Sequence, residues 1–167
     1  VLHELVEEVA DILRPQIQKR KNLLVLQLDR VEPTSLDALR TRQIVTNLLG
    51  NAAKFTEDGT INATVSQQNG RLRVAISDDG PGIPAHRLED IFAPFEQASE
   101  EVQGIYGGSG LGLAISRRLA REMGGDLWAE SELGEGSTFI LEFPVGRERK
   151  TSRALAKSRM ERSPTPR

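Results

Sequence analysis

The sequence predicts an α/β (α+β) two-layer sandwich: a mixed, mostly antiparallel sheet of about five strands, covered on one face by about three helices. Three observations carry that expectation. Apolar residues recur at helical spacing in three separated stretches, short runs of alternating polarity lie between them, and two of those runs meet at tight-turn dipeptides. Strands paired through hairpins, with helices set between them, favour helices gathered on one side of the sheet.

The elements follow in order. Residues 3–19 place Leu5, Val6, Val9, Ile12, Leu13 and Ile17 on one stripe, with Glu4, Glu7, Glu8 and Asp11 outside it. "LLVLQLD" (23–29) reads as a strand. A second helix is expected from about Ser35, a capping residue type, to Phe55, with Ile44, Val45, Leu48, Leu49 and Ala52 as its apolar face. "TINATVSQQ" and "RLRVAISD" alternate around Asn69-Gly70, which predicts a hairpin. Pro84 opens a short helix ending near Phe92. Residues 93–109 then show no periodicity and read as a long functional or mobile loop. "GLGLAISRRLAREMGG" is an amphipathic helix stopped by Gly124-Gly125, and "DLWAESE" with "STFILEFP" closes a hairpin around Gly134–Gly136.

The bulk numbers bound the function. A chain of 167 residues, 38% hydrophobic and 28% charged, suits one soluble domain with a real core. No apolar run reaches the ~20 residues of a membrane helix. No signal-peptide pattern is present, and the opening at Val1 rather than Met predicts a piece of a longer chain. The absence of cysteine excludes disulfides and thiolate chemistry and fits a cytoplasmic setting. Residues 147–167 hold eight Lys or Arg and two Glu, whereas the other 146 residues hold 14 bases and 22 acids. The expected organisation is therefore an acidic domain over 1–146 and a basic linker or disordered tail over 147–167. An acidic body argues against nucleic acid as a partner, because phosphate neutralisation needs clustered bases.

Four segments carry candidate chemistry. In "NLLGNAAKF", Asn47, Asn51 and Lys54 fall on one helical face away from the apolar one. A carboxamide oxygen is a hard neutral ligand for Mg²⁺ that keeps its waters, and an ammonium one turn on can meet a phosphate. A solvated polar face is the other reading. In "SDDGPGIP", Asp78 leaves a strand beside Gly80 and Gly82; a buried carboxylate only accepts hydrogen bonds, so it suits the amine of adenine and repels the carbonyl of guanine. A capped Gly-Pro turn is the alternative. "GGSGLGLAIS" frees backbone N–H groups at a helix start, where phosphate is favoured. It lacks the Gly-Lys-Ser/Thr of a P-loop and the preceding strand of a dinucleotide fold. "GEGSTF" is a glycine hairpin that sets the Thr138 hydroxyl on the last strand.

Taken in order, "NLLGNAAKF", "DDGPGI", "IFAPFEQ", "GGSGLGLAIS" and "GEGSTF" closely resemble the five nucleotide-binding boxes of histidine protein kinases, over about Leu2 to Pro144. These kinases belong to the GHKL superfamily, with gyrase-type topoisomerases, the ninety-kilodalton heat-shock chaperones and the mismatch-repair ATPases. The resemblance implies Mg²⁺-ATP held between the helices and a lid loop. It implies Asn51 as the metal ligand with Asn47 beside it, Lys54 on a phosphate, and Phe55 near the ribose or base. It implies Asp78 as the adenine-reading acid with Gly80, Gly82 and Ile83 next to it, and Thr138 supporting that acid through water. Phe92 and Phe95 match an aromatic pair anchoring the lid. Gly108, Ser109, Gly110 and Gly112 match the phosphate cradle, and Leu111 and Leu113 seat the following helix.

Position 47 separates reaction classes. Hydrolysing relatives carry glutamate there, whereas a carboxamide cannot act as a general base at neutral pH. Phosphoryl transfer needs mainly positioning and charge neutralisation, which favours a kinase over an ATPase. Neither His3, at the first helix, nor His86, in the short helix, has the setting of a phosphoacceptor. The resemblance therefore implies an acceptor histidine on a dimerisation domain absent from this chain, and a response regulator or receiver domain downstream. Gly104 and Ile105 precede Tyr106 where many members have Arg or Lys, and Gln97 stands where simpler kinases have Arg. Those departures keep a nucleotide-gated regulatory module as the alternative. Trp128 reads as core or rim packing.

Overall fold

The computed structural model describes residues 1–94 and 111–145. Helix α1 (Leu2–Lys19) leads into strand β1 (Leu23–Leu28) and helix α2 (Ala38–Phe55). Strands β2 (Thr60–Gln68) and β3 (Arg71–Asp78), helix α3 (Gly112–Glu122) and strands β4 (Asp126–Glu132) and β5 (Gly136–Pro144) follow. The sheet order is β1-β2-β3-β5-β4; β1 and β2 run parallel and the other neighbours antiparallel. This is the expected mixed, mostly antiparallel five-stranded sheet.

Side-chain alternation gives the sheet one apolar face. Ile61, Ala63 and Val65 of β2, Leu72, Val74 and Ile76 of β3, and Phe139, Leu141 and Phe143 of β5 are buried there with Leu127. Against them lie Val6, Val9, Ala10 and Ile17 of α1 and Ile44, Val45, Leu48, Leu49 and Ala53 of α2. The opposite face is mostly polar, with Trp128 packed beneath the Arg73 guanidinium at 5.7 Å and its indole N–H donating to Glu130. No helix among the described residues is long and apolar enough to cross a membrane.

The hairpin signal is realised directly. Asn69 and Gly70 take φ of 51° and 73°, the pair of left-handed values that a two-residue turn between twisted strands requires. Elsewhere the structure departs from expectation. Ile12 is 70% exposed, because it lies at the edge of the α1 stripe, where α2 and the sheet no longer cover it. The cap of α2 is Asp37, whose carboxylate accepts from Arg40 N at 3.0 Å; Ser35 lies in the preceding extended segment. The short helix expected from Pro84 to Phe92 is instead two 3₁₀ turns, Ala85–Arg87 and Asp90–Phe92. Nine residues without a continuous apolar stripe cannot offset the cost of nucleating an α-helix.

Candidate functional site

The end of β3 places the site's most perturbed group. Asp78 pairs in register with Ile61 of β2 and Ser137 of β5, so its side chain shares the helix-covered face with Val74 and Ile76. Its Oδ1 accepts the Gly80 N–H at 2.8 Å. Burial raises the Asp78 pKa from its ordinary value; the Gly80 N–H, the Thr56 hydroxyl and the Ser137 N–H pull it down, and the charge of Asp79 pushes it up. Asp79 itself accepts from Thr60 N at 3.0 Å, tying the strand exit back to β2.

Two glycines let the surrounding backbone close on this residue. Gly136 has φ of +113°, and a side chain there would run into the Asp78 carbonyl. Gly82 has φ of +72°, and a side chain there would meet the backbone of Glu132 and Leu133. Serines then lace the turn to the last hairpin. Ser131 Oγ accepts from Ile83 N at 2.8 Å, donates to the Gly136 carbonyl at 2.6 Å and lies 2.9 Å from Ser137 Oγ. Gly80 completes the packing: a Cβ there would stand 2.6 Å from Asp78 Oδ1.

The expectation for Thr138 needs correction. Thr138 lies opposite Ser77 and Glu130, so by strand alternation it belongs to the outer face, away from the Asp78 side chain. Ser137, buried and opposite Asp78, occupies the place expected for that hydroxyl.

The polar face of α2 forms the second part of the site. Asn47, Asn51 and Lys54 are all half-buried. Asn47 Nδ2 donates to Ser116 Oγ of α3 at 3.0 Å, and the N-terminal Gly112 of α3 comes so close that a side chain there would strike the Asn47 carboxamide. The start of α3, whose first amides have no partner within the helix, is thereby held against the turn of α2 that precedes Asn51. Lys54 Nζ lies 5.8 Å from the Phe55 ring centre. Leu111 caps α3, and Leu113 packs against the core.

Phe92 is buried and meets Phe139 of β5 edge-on at 6.4 Å. Arg117 of α3 sits 4.7 Å over the Phe92 ring and bonds Glu89 at 2.9 Å, joining α3 to the 3₁₀ turns. Phe95, Gly108, Ser109 and Gly110 lie outside the described residues. His86 is exposed in the first 3₁₀ turn, and His3 accepts from Val31 N at 3.5 Å, a link between α1 and the segment after β1. Chemically, the arrangement offers a part-buried acceptor at one end and, at the other, carboxamides, an ammonium and a helix N-terminus. Sequence reading missed Ser131 and Ser137, although alternation back from Phe139 points to Ser137. It also missed Ser116, the last residue of "GGSGLGLAIS", and Thr56, whose signal is its place directly after Phe55.

Comparison with known proteins gives the family and the fold. Residues 36–147 match the family model described as histidine kinase-, DNA gyrase B-, and HSP90-like ATPase. The sensor histidine kinase AruS of Pseudomonas aeruginosa is 44% identical over 154 residues, covering 86% of this chain and 15% of that protein. The chain thus spans about one seventh of that relative. Among solved structures, full-length ShkA in complex with AMPPNP is 34% identical with a TM-score of 0.78, over 86% of this chain and 30% of that one. The nucleotide-free catalytic domain of the histidine kinase ThkA is 30% identical with a TM-score of 0.73, over 85% of this chain and 91% of that one.

Proposed function

The chain belongs to the family of histidine kinase-, DNA gyrase B- and HSP90-like ATPases, and on that premise we propose that it is the ATP-binding catalytic domain of a two-component sensor histidine kinase. It donates the γ-phosphoryl group of ATP to a histidine on a dimerisation domain outside this chain. The observation that carries the kinase reading over a hydrolase is Asn47. Its amide donates to Ser116 and it has no basic group with which to activate water.

Each part of the site then has a task. Asp78 accepts the adenine amine, with Ser137 behind it. Phe55 and Ile83 flank the ring and ribose. Lys54 meets a phosphate, and Gly112 at the start of α3 brings a backbone amide to the others, the task also expected of Gly108, Ser109 and Gly110, which lie outside the described residues. Asn51 suits Mg²⁺: a neutral carboxamide on a half-buried helix face, beside an ammonium, fits an ion that takes its remaining ligands from water and phosphate. The ion would supply charge neutralisation on the phosphates. Phe92, buried on Phe139, anchors the near end of the lid. The catalytic domain extends over 1–146; the basic linker or disordered tail expected over 147–167 lies outside the described residues, and a cytoplasmic response regulator or receiver domain takes the phosphoryl group onward.

The test is transfer. The isolated chain should hydrolyse Mg²⁺-ATP very slowly and leave itself unlabelled. Mixed with a dimerisation module of its parent protein, it should yield a label that is acid-labile and alkali-stable, as a phosphoramidate is. Brisk hydrolysis by the chain alone would place it with the ATP-driven clamps. Nucleotide binding without transfer would favour a nucleotide-gated module, the reading suggested by Gly104 and Ile105 where many members carry a cation.

A further inference from the structure

We propose that Thr56 is a further specificity-determining residue, whose hydroxyl braces the Asp78 carboxylate as the acceptor that selects an amine over a carbonyl at the six-position of a purine. The proposal rests on the reading of Asp78 as the purine-facing acid and deepens it.

Thr56 directly follows α2 and is fully buried. Its backbone is completely used. The N–H donates to the Ala52 carbonyl at 3.1 Å, and the carbonyl accepts Asn22 Nδ2 at 2.7 Å and Arg20 Nε at 3.2 Å. Asn22, itself buried, also accepts from Gly59 N at 3.0 Å, so the whole bend is clamped to the start of β1. The clamp fixes the direction of the side chain. Its methyl faces Gly59, where a Cβ would stand 2.8 Å from Cγ2, and its hydroxyl faces Gly80, where a Cβ would stand 3.5 Å from Oγ1.

The hydroxyl is the one group of this residue left over. Oγ1 is buried and makes no hydrogen bond of proper geometry among the described residues. It nevertheless lies close enough to Asp78 to pull the carboxylate pKa down, as a donor does. Packing alone would be served by valine, which has the same shape and no polar atom to bury; a buried hydroxyl without a use is costly. The use on offer is the carboxylate, whose Oδ1 already takes the Gly80 N–H.

The consequence is a choice of base. An ionised carboxylate only accepts, so it asks the ring for an N–H. A protonated one can donate to a carbonyl oxygen, and burial together with the charge of Asp79 pushes Asp78 in that direction. The Thr56 O–H opposes that drift and keeps the preference for an amine. Both groups face the same glycine: a Cβ at Gly80 would stand 2.6 Å from Asp78 Oδ1 and 3.5 Å from Thr56 Oγ1.

Calorimetric titration of the 167-residue chain with Mg²⁺-ADP and Mg²⁺-IDP tests this, because the two bases differ at the six-position and the adjoining ring nitrogen. Thr56→Val should narrow the ADP-to-IDP affinity ratio about three- to tenfold, and Thr56→Ser should keep the parent's ratio. If Thr56→Val fails to fold, Thr56→Ala carries the same readout. A Val or Ala variant with the parent's ratio, even with both affinities lowered together, overturns the proposal and leaves a structural role. A parent chain that prefers neither base removes the Asp78 assignment and the proposal with it. A parent that binds neither nucleotide breaks the functional reading itself.

Discussion

Around Asp78 the neighbours are backbone and short side chains placed by sheet register; around Asn51 they are side chains on a helix face. In the first region Gly82 and Gly136 bring separate chain segments into van der Waals contact, and Ser131 ties them by hydrogen bonds. In the second, α2 and α3 are joined through side chains, Asn47 to Ser116 and Arg40 to Glu122. A region locked through its backbone should tolerate few substitutions and lose the fold when it fails. A region made of side chains should lose ligand affinity first.

The largest effect expected is from Gly136→Ala. The left-handed φ and the collision with the Asp78 carbonyl should together cost roughly 3 kcal/mol of stability, read by urea denaturation. A loss below about 1 kcal/mol would show that this hairpin shifts freely, and the contrast between the regions would collapse.

Asp78→Asn sharpens the contrast by moving affinity and stability in opposite directions. Losing the charged acceptor should weaken Mg²⁺-ADP about 10- to 100-fold, measured by calorimetry. The unliganded variant should be more stable than the parent at neutral pH. Because burial raises the folded-state pKa, the folded chain holds that proton more tightly than the unfolded one. The parent's stability from this group is full below the unfolded pKa and is lost as pH rises through the folded value. Thermal melts of the two should therefore converge in acid and separate toward neutrality, with the parent the lower.

On the helix-face side, Asn51→Ala should lower affinity for Mg²⁺-ADP about tenfold, or ~1.4 kcal/mol, and leave metal-free adenosine binding unchanged. Titrations with and without Mg²⁺ check it; equal losses in both would mean that Asn51 holds the fold rather than the ion. The smallest effect belongs to Ser116→Ala. It removes the Asn47 partner and should cost about 1 kcal/mol of stability by denaturant titration.

The same division explains what was legible in the sequence. Periodicity revealed the sheet, the three helices and the Asn69-Gly70 turn, because each depends on local chemistry. The polar face of α2 was readable for the same reason: Asn47, Asn51 and Lys54 are spaced by the helix itself. The choice between Ser137 and Thr138 depends on cross-strand register with Asp78, and adjacent hydroxyls in "GEGSTF" do not announce which faces inward. Asp37 was passed over for Ser35 because both cap well, and the Arg40 N–H decides between them only in three dimensions. Thr56 was passed over because its place after Phe55 does not show the clamp made by Asn22 and Arg20, 34 and 36 residues away.

The pairing of β3 with β5 joins Asp78 to Ser137 across all the chain between them. The two strands are neighbours in the sheet but far apart in sequence, so the Asp78 region is completed only when a distant hairpin docks. Closing a chain loop costs free energy that grows only logarithmically, about 0.6 kcal/mol for each doubling of its length. The stretch between β3 and α3 is therefore free to differ in length from one protein to another at little cost to the pairing of β3 with β5. Assembly bears the other side of that freedom. Contacts so remote along the chain slow folding, because loop-closure entropy is lost before they form, and the carboxylate has its full buried environment only with the β4–β5 hairpin in place.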